Sequence, residues 1–373
     1  MRILIISAYE ANSHKAWANA LMSGLEQHDW QYISLPARHF AWRIRGNAMS
    51  FAFDPKFKDA LQKPYDLVIA TSMTDCVGLK AFCPDLQNIP WILYFHENQF
   101  AYPAGDNQQG LIEMQMVTLY SALAADLCVF NSAFNQTSFF QGAKALLKKL
   151  PDYVSPDWLM TTETNSQVIP VPIEWPSRTL LQRSFGVDRQ ADISIEASKL
   201  KIAWSARWEF DKGPERLFAI LQALEATDLE YEIAIMGEQF RTVPEVFSQI
   251  KLQFSHRITQ FGYAESRDQY FAILASSDLF LSTALHEFQG LSVLEAVAVG
   301  CVPVLPNRQV YPELFDEECL YQSHLNDLEK EASSATKLIQ SYAQYPIKPP
   351  SVTRFCLENV LAGYREIIQK FES

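Results

Sequence analysis

Short apolar runs rich in β-branched residues recur along this chain with helical-period stretches between them, and few folds accommodate that alternation. The first series is "ILIIS" (3–7), "YISL" (32–35), "DLVIATS" (66–72), "WILYFHE" (91–97), "DLCVFNS" (126–132) and "QVIPVPI" (167–173). A strand covered on both faces reads as such a run, and strands separated by helices assemble into parallel sheets. Helical spacing fills 13–28, 110–124 and 133–149. The pattern pauses at about 174–199, which reads as a connection. A second series follows in "KIAWSA" (201–206), "YEIAIMGE" (231–238), "ITQFGY" (258–263), "DLFLSTA" (278–284) and "CVPVLP" (301–306). The expectation is an α/β protein with two Rossmann-like domains, 1–174 and 175–350, and a last helical stretch over 351–373. A chain of 373 residues is long for one core, so two cores fit its size.

Charge and motifs narrow the partners. With 31 Lys+Arg against 43 Asp+Glu the net charge is -12, so the mean field repels polyanions and any nucleic acid must meet a local patch. The candidate is "PARHFAWRIRG" (36–46), which gathers Arg38, His39, Trp42, Arg43 and Arg45. Guanidinium groups beside aromatic rings hold RNA that is read outside a duplex. The alternative puts Phe40 and Trp42 in the core and pairs the arginines with acidic surface. Six cysteines show no CxxC and no metal-ligand spacing, which points to a reduced, cytoplasmic protein. "MRILIISAYE" has too short an apolar run for a signal peptide, and no run reaches the length of a span, so no membrane is expected. GxGxxG, Walker A, GxSxG and HExxH are all missing from the sequence.

Ligands of open parallel sheets bind outside the carboxyl ends of the strands, and here those positions are polar. They are Tyr9 to Lys15 (with Ser13 as a helix cap, then His14 and Lys15), His96-Glu97-Asn98, Asn131-Ser132, Arg207 to Lys212, Gly237-Glu238 and His286-Glu287. Facing halves would bring all six to one interdomain cleft. In "HEFQGLSVLEAVAVG" the carboxylates of Glu287 and Glu295 flank Gly290, which should start a helix at Leu291 whose free amides suit a phosphate. Glu287 in the loop and Glu295 in the helix suit two separate polyol contacts. The competing reading leaves Glu295 facing solvent. Arg207 and Lys212 follow a buried strand, and two cations there suit a departing diphosphate without a metal ion; otherwise they are surface charges paired with Glu209, Asp211 and Glu215. His96 ends a strand, where an imidazole serves a sugar hydroxyl or a proton, or simply the core.

Glu287 and Glu295 resemble the E-x7-E signature of the retaining glycosyltransferases of family 4, and Arg207 and Lys212 resemble their R-x4-K phosphate pair. Many members carry Gly-Phe-Gly after the first glutamate; this chain has Phe288-Gln289-Gly290. The ordered set "SAYEANSHKAW", "LPARHFAWRIR", "ILYFHENQFAYP", "VFNSAFNQTSFF", "RWEFDKGPE", "IMGEQFRTVPEVF" and "HEFQGLSVLEAV" is similar to the tRNA-queuosine mannosyltransferase group within that family. The resemblance implies the GT-B fold, two facing Rossmann-like domains around an interdomain active site, with the last helix crossing back to the first domain. It implies transfer of mannose from GDP-mannose to the queuosine base of a tRNA anticodon, with retention, needing neither cofactor nor metal.

In that scheme Glu287 holds the donor sugar and Glu295 the ribose, with Gly237, Glu238, Gly290 and Leu291 also on the donor. Arg207 and Lys212 neutralise the diphosphate, and His96 approaches the sugar. Ser13, His14, Lys15, Arg38, Trp42, Arg43, Arg45, Glu97, Asn98, Asn131 and Ser132 fall to the tRNA side. The acceptor hydroxyl attacks on the face the phosphate leaves, so no protein nucleophile is required. Two alternatives stay open: a family 4 enzyme using a glycan or lipid acceptor and another nucleotide sugar, or a catalytically silent RNA-binding protein on the same scaffold.

Overall fold

The computed structural model describes residues 1–101, 111–175, 199–239, 243–345 and 347–372. Most of the predicted connection at 174–199 lies outside them. The chain divides into two compact units, Met1–Pro172 with Leu357–Ser373, and Ile173–Cys356.

In the first unit β1 (Arg2–Glu10), β2 (Asp29–Pro36), β3 (Leu67–Thr71), β4 (Trp91–Phe95), β5 (Leu127–Phe130) and β6 (Gln167–Val168) form one sheet in the order β2-β1-β3-β4-β5-β6. Every adjacent pair is parallel. All residues of β3 and β4 are buried, which is why these strands read as unbroken apolar runs. β6 is far shorter than the run 167–173 because Pro170 and Pro172 have no N–H to give a ladder. The chain moves from β1 outward to β2 and then back across β1 to β3, so the loops after β1 and β3 part and leave a crevice at the carboxyl ends.

The last helix, Leu357–Gln369, packs into this unit with Val360, Leu361, Tyr364, Ile367 and Ile368 buried along one face. It lies close against the first helix, Asn12–Gly24: a side chain at Gly24 would run into Leu361. Trp17 Nε1 also donates to the Tyr364 hydroxyl at 2.7 Å. The helix begins at Leu357 rather than near Ser351, because Pro349 and Pro350 precede it and 353–355 forms a single 3-10 turn.

In the second unit β7 (Leu200–Ser205), β8 (Tyr231–Met236), β9 (Ile258–Gly262), β10 (Leu279–Leu281), β11 (Val302–Pro306) and β12 (Leu320–Tyr321) are ordered β12-β11-β10-β7-β8-β9, again all parallel. Counted from β7 this is the doubly wound order 3-2-1-4-5-6, whose reversal falls between β7 and β10. Arg207 and Lys212 follow the first of these strands, and Glu287 and Glu295 the second. β12 escapes sequence reading because two residues at a sheet edge carry no periodicity.

Candidate functional site

The loop after β7 is stitched to the loop after β10. Backbone N–H groups of Leu285 and His286 donate to the Asp211 carbonyl at 2.8 and 3.2 Å, and the Thr283 hydroxyl donates to the Lys212 carbonyl at 2.8 Å. Gly213 has φ 66°, and any side chain there would collide with the Thr283 carbonyl; only glycine lets the two loops close up before Pro214 opens the helix Pro214–Glu225. Lys212 is thereby pinned. Its ammonium donates to the His286 carbonyl at 3.0 Å, lies 3.2 Å from Glu287 Oε2 and 3.1 Å from Asp211 Oδ2. Arg207 is more exposed and pairs with Glu209 at 3.2 Å. The reading that pairs these cations with neighbouring acids is thus realised in part, through Glu209 and Asp211.

Glu287 is fixed from both sides, by Lys212 and by the Phe288 N–H, which donates to Oε1 at 3.0 Å. Burial pushes its carboxyl up, but the Lys212 charge and the loop amides outweigh that, and Glu287 titrates below the usual carboxylate range. The same lysine acts on its neighbour: burial first, then Lys212, push the His286 imidazole down to about 4. Gly290, at φ 73°, is the N-cap of the helix Leu291–Ala298 and offers no side-chain cap, so the first amides stay open to an anion. Phe288 and Gln289 are buried, with Phe288 edge-on to His286. Gly237 is needed because a side chain would strike the Ala206 carbonyl, and the Glu238 carbonyl accepts from the Trp208 N–H at 3.0 Å, holding the loop after β8 on the loop after β7.

Glu295 does not face solvent. Its side chain is 12% exposed and accepts from Arg267 at 2.6 Å and from the Tyr270 hydroxyl at 2.9 Å, both on the helix Arg267–Ala275. Burial raises its carboxyl, and Arg267 offsets this only in part. Behind the β10 loop sits a cluster that the sequence reading missed. Arg308 donates to the Ala284 carbonyl at 2.8 Å and to both Glu331 oxygens at 2.9 Å, while Arg216 donates to Glu331 at 2.8 Å. All three side chains are buried. Arg216 and Arg308 lie 115 and 23 residues from Glu331, so no local pattern announces the cluster.

At the carboxyl ends of the first sheet the polar groups are mostly neutral. His96 is buried, with the His14 ring stacked on it at 3.9 Å. Ala11 caps the helix Asn12–Gly24, so Ser13 lies inside its first turn instead of capping it, and Lys15 is exposed. Asn98, Asn131 and Ser132 were expected to meet the acceptor, but their side chains are spent inward. Asn98 Nδ2 donates to Asn135 Oδ1 at 2.8 Å and its Oδ1 accepts from the Phe100 and Ala101 N–H groups. Asn131 donates to the His96 carbonyl at 2.8 Å and accepts from Asn135, and Ser132 caps the helix Ala133–Leu147. Chain turns placed there need these bonds because buried polar groups must be satisfied. They make the three residues supports for the His96 loop. Glu97 is half-buried, and its carbonyl accepts from the Ser72 hydroxyl at 3.0 Å.

The basic strip is largely helical. Phe40–Phe53 is a helix that buries Ile44, Ala48 and Phe51 at i, i+4, i+7 spacing. Trp42 is 53% exposed, its ring laid over Gly46, and Arg38 and Arg45 are exposed as well. Arg43 corrects the expectation: it is 9% exposed, with Nε donating to the Pro36 carbonyl at 3.4 Å, because its helix position points to the sheet. Phe40 is partly buried against Tyr9.

Two family models match the chain: tRNA-queuosine alpha-mannosyltransferase N-terminal over residues 2–173, and glycosyl transferases group 1 over 188–326. A Drosophila melanogaster tRNA-queuosine alpha-mannosyltransferase is 31% identical over 345 residues, 92% of this chain and 87% of that protein. A Xanthomonas campestris GDP-mannose:cellobiosyl-diphosphopolyprenol alpha-mannosyltransferase is 22% identical over 43% of this chain and 42% of its own. Among solved structures, Anabaena HepE in complex with UDP aligns with TM-score 0.61 at 16% identity, over 99% of this chain and 100% of that one. Sucrose-phosphate synthase from Thermosynechococcus elongatus aligns with TM-score 0.64 at 14% identity, over 99% and 100%. At these identities the solved structures speak for the fold, which is GT-B.

Proposed function

Because the chain belongs to the family of the tRNA-queuosine alpha-mannosyltransferases, we propose that it transfers mannose from GDP-mannose to the queuosine base of a tRNA anticodon. The observation that carries this reading is the pinned Lys212 beside Glu287 at the switch point of the second sheet, with Arg207 in the same loop. A leaving nucleoside diphosphate gains charge as the sugar bond breaks, and Arg207 and Lys212 are cations fixed before that charge appears. The open amides at Leu291 add to them. Glu287 stays ionised and accepts hydroxyls of the donor sugar. Glu295, oriented by Arg267 and Tyr270, keeps lone pairs for the ribose. The oxygen of the departing phosphate takes the proton of the acceptor hydroxyl, which is why no side chain need act as nucleophile.

GDP-mannose as donor is supported by the Xanthomonas campestris relative, a GDP-mannose-dependent alpha-mannosyltransferase by name. On the acceptor side, exposed Arg38, Trp42 and Arg45 supply two guanidiniums and an aromatic face for unpaired anticodon bases. No helix among the described residues is long and apolar enough to cross a membrane, and a tRNA substrate favours the cytoplasm.

The test incubates the protein with labelled GDP-mannose and tRNA that either contains or lacks queuosine. Label should enter only the queuosine-containing tRNA. Equal labelling of both, or transfer to a glycan or lipid instead, overturns the acceptor. In the Arg38→Ala/Arg45→Ala double variant the slope of log affinity against log salt should flatten by about 1.4, at about 0.7 per phosphate contact on single strands. GDP binding should not change.

A further inference from the structure

His14 and His96 lie in a tight aromatic box. The His14 ring stacks on His96 with centroids 3.9 Å apart and planes 17° from parallel. Trp17 and Tyr94 meet His96 edge-on at 4.9 and 4.7 Å. The walls are tied down: Trp17 Nε1 donates to the Tyr364 hydroxyl at 2.7 Å, and the Tyr94 hydroxyl donates to the Ile169 carbonyl at 2.9 Å. Asn131 holds the His96 carbonyl from the far side. Within this satisfied surround His96 is 7% exposed, yet its Nε2 has no partner among the described residues. Leaving a buried polar atom unpaired is costly, and that cost at the carboxyl end of a parallel strand points to a bond that a ligand completes.

We infer that His14 is a positioning residue for the transfer reaction: its stacked ring holds His96 in one orientation, with Nε2 kept for a substrate hydroxyl. The inference rests on the glycosyl-transfer reading above. Two imidazoles face to face at this separation, away from water, resist carrying two charges. Among the described residues, the rings facing His96 are those of His14 and Trp17 from the helix Asn12–Gly24 and Tyr94 from β4, with Tyr364 behind them; none is a carboxylate or a permanent cation. Glu97 is its neighbour in sequence. Burial first, and then the His14 ring, hold the His96 imidazole well below its ordinary range. A neutral His96 therefore persists into mild acid, and a proton never has to be removed before substrate can use the ring.

The test compares His14→Ala with His14→Phe in the full chain, following both turnover and the His96 ring signals by NMR of histidine-labelled protein, assigned with His96→Gln. In the wild-type chain His96 should titrate well below the ordinary imidazole range, whereas in His14→Ala its titration should move up toward that range. The acid limb of turnover should move with it, since the active form is the neutral ring. His14→Ala should lose at least about tenfold in kcat with KM for the nucleotide sugar unchanged, as misplaced contacts do. His14→Phe, which restores a stacked ring, should recover most of kcat. Identical His96 titrations in wild type and His14→Ala overturn the inference. So does a His14→Phe no better than His14→Ala, which would make His14 itself a substrate contact. Failure of the wild-type chain to transfer mannose would count against the assigned reaction alone, because the ring titration is read without turnover.

Discussion

The carboxyl ends of the two sheets are furnished with opposite materials. After β4 and β5 of the first sheet the polar groups are stacked imidazoles and a mesh of asparagine amides, with hydrogen bonds from Asn98, Asn131 and Asn135 closing on one another. After β7 and β10 of the second they are ions: Lys212 between Asp211 and Glu287, Arg267 on Glu295, and Arg216 and Arg308 on Glu331. Both units use the same parallel architecture, so architecture does not dictate the difference. On the reading proposed above, it follows the charge of what each edge handles. A diphosphate calls for fixed cations, and cations in a partly dry loop call for carboxylates to hold them in its absence. Neutral amides fix a backbone without adding a field, which suits an edge that must present uncharged rings.

If the ionic edge depends on its paired charges, the largest effect comes from unbalancing the deepest cluster. Glu331→Gln leaves Arg216 and Arg308 buried with their charges uncompensated, and should cost about 3–5 kcal/mol, read from urea unfolding. Burial raises the Glu331 carboxyl, but hydrogen bonds and charge from Arg308 hold it below the usual range. A carboxyl lowered on folding contributes stability above its unfolded value and loses it as pH falls through the folded one. The wild-type chain should thus lose this share in acid below about pH 4.5, and Glu331→Gln should show a flatter acid dependence. An equal slope in both would break the comparison at its strongest point.

Next in size, Lys212→Ala and Arg207→Ala should each lower turnover by about 3 kcal/mol, with smaller changes in donor binding, because they act on charge that grows during transfer. Unchanged turnover in both would remove the ionic edge from the chemistry. On the neutral edge, Asn131→Ala removes the donor to the His96 carbonyl and the acceptor of Asn135 Nδ2, and should cost about 1–2 kcal/mol in stability. A loss as large as that of Glu331→Gln would erase the contrast. The smallest effect is expected from EDTA, which should leave turnover unchanged; activity lost to chelation and restored by magnesium or manganese would mean that Arg207 and Lys212 do not suffice as the counter-charge.

Much of this was legible in the sequence where one local pattern held all the information. β3 and β4 announced themselves because both faces are buried, and Gly290 marked a helix start because the helical spacing of Leu291, Leu294 and Val297 begins directly after it, where the backbone has a positive φ that suits glycine. The helix Phe40–Phe53 was missed although Ile44, Ala48 and Phe51 carry its period, since the arginines between them drew the reading toward a surface strip. Arg43 sits on the buried face of that same helix, a matter of phase that composition cannot report. Arg308, Arg267 and the His14 stack were illegible for a different reason: each acts through a partner on another element, and only the sheet order brings the helix after β1 against β4 or the loop after β11 against β10.

The return of the helix Leu357–Gln369 to the first unit has a consequence for biosynthesis. Trp17 finds its hydroxyl partner 347 residues later, and the apolar groove beside Gly24 is covered by Leu361 from the same late segment. The ribosome delivers the first sheet early and the second sheet next, but the covering helix only after both. Until then the half-made first unit keeps an open greasy seam and an unbonded indole, the kind of surface that recruits chaperones or joins other nascent chains. A frameshift between residues 173 and 357 would therefore do harm in the unit translated before it, by removing that unit's covering helix.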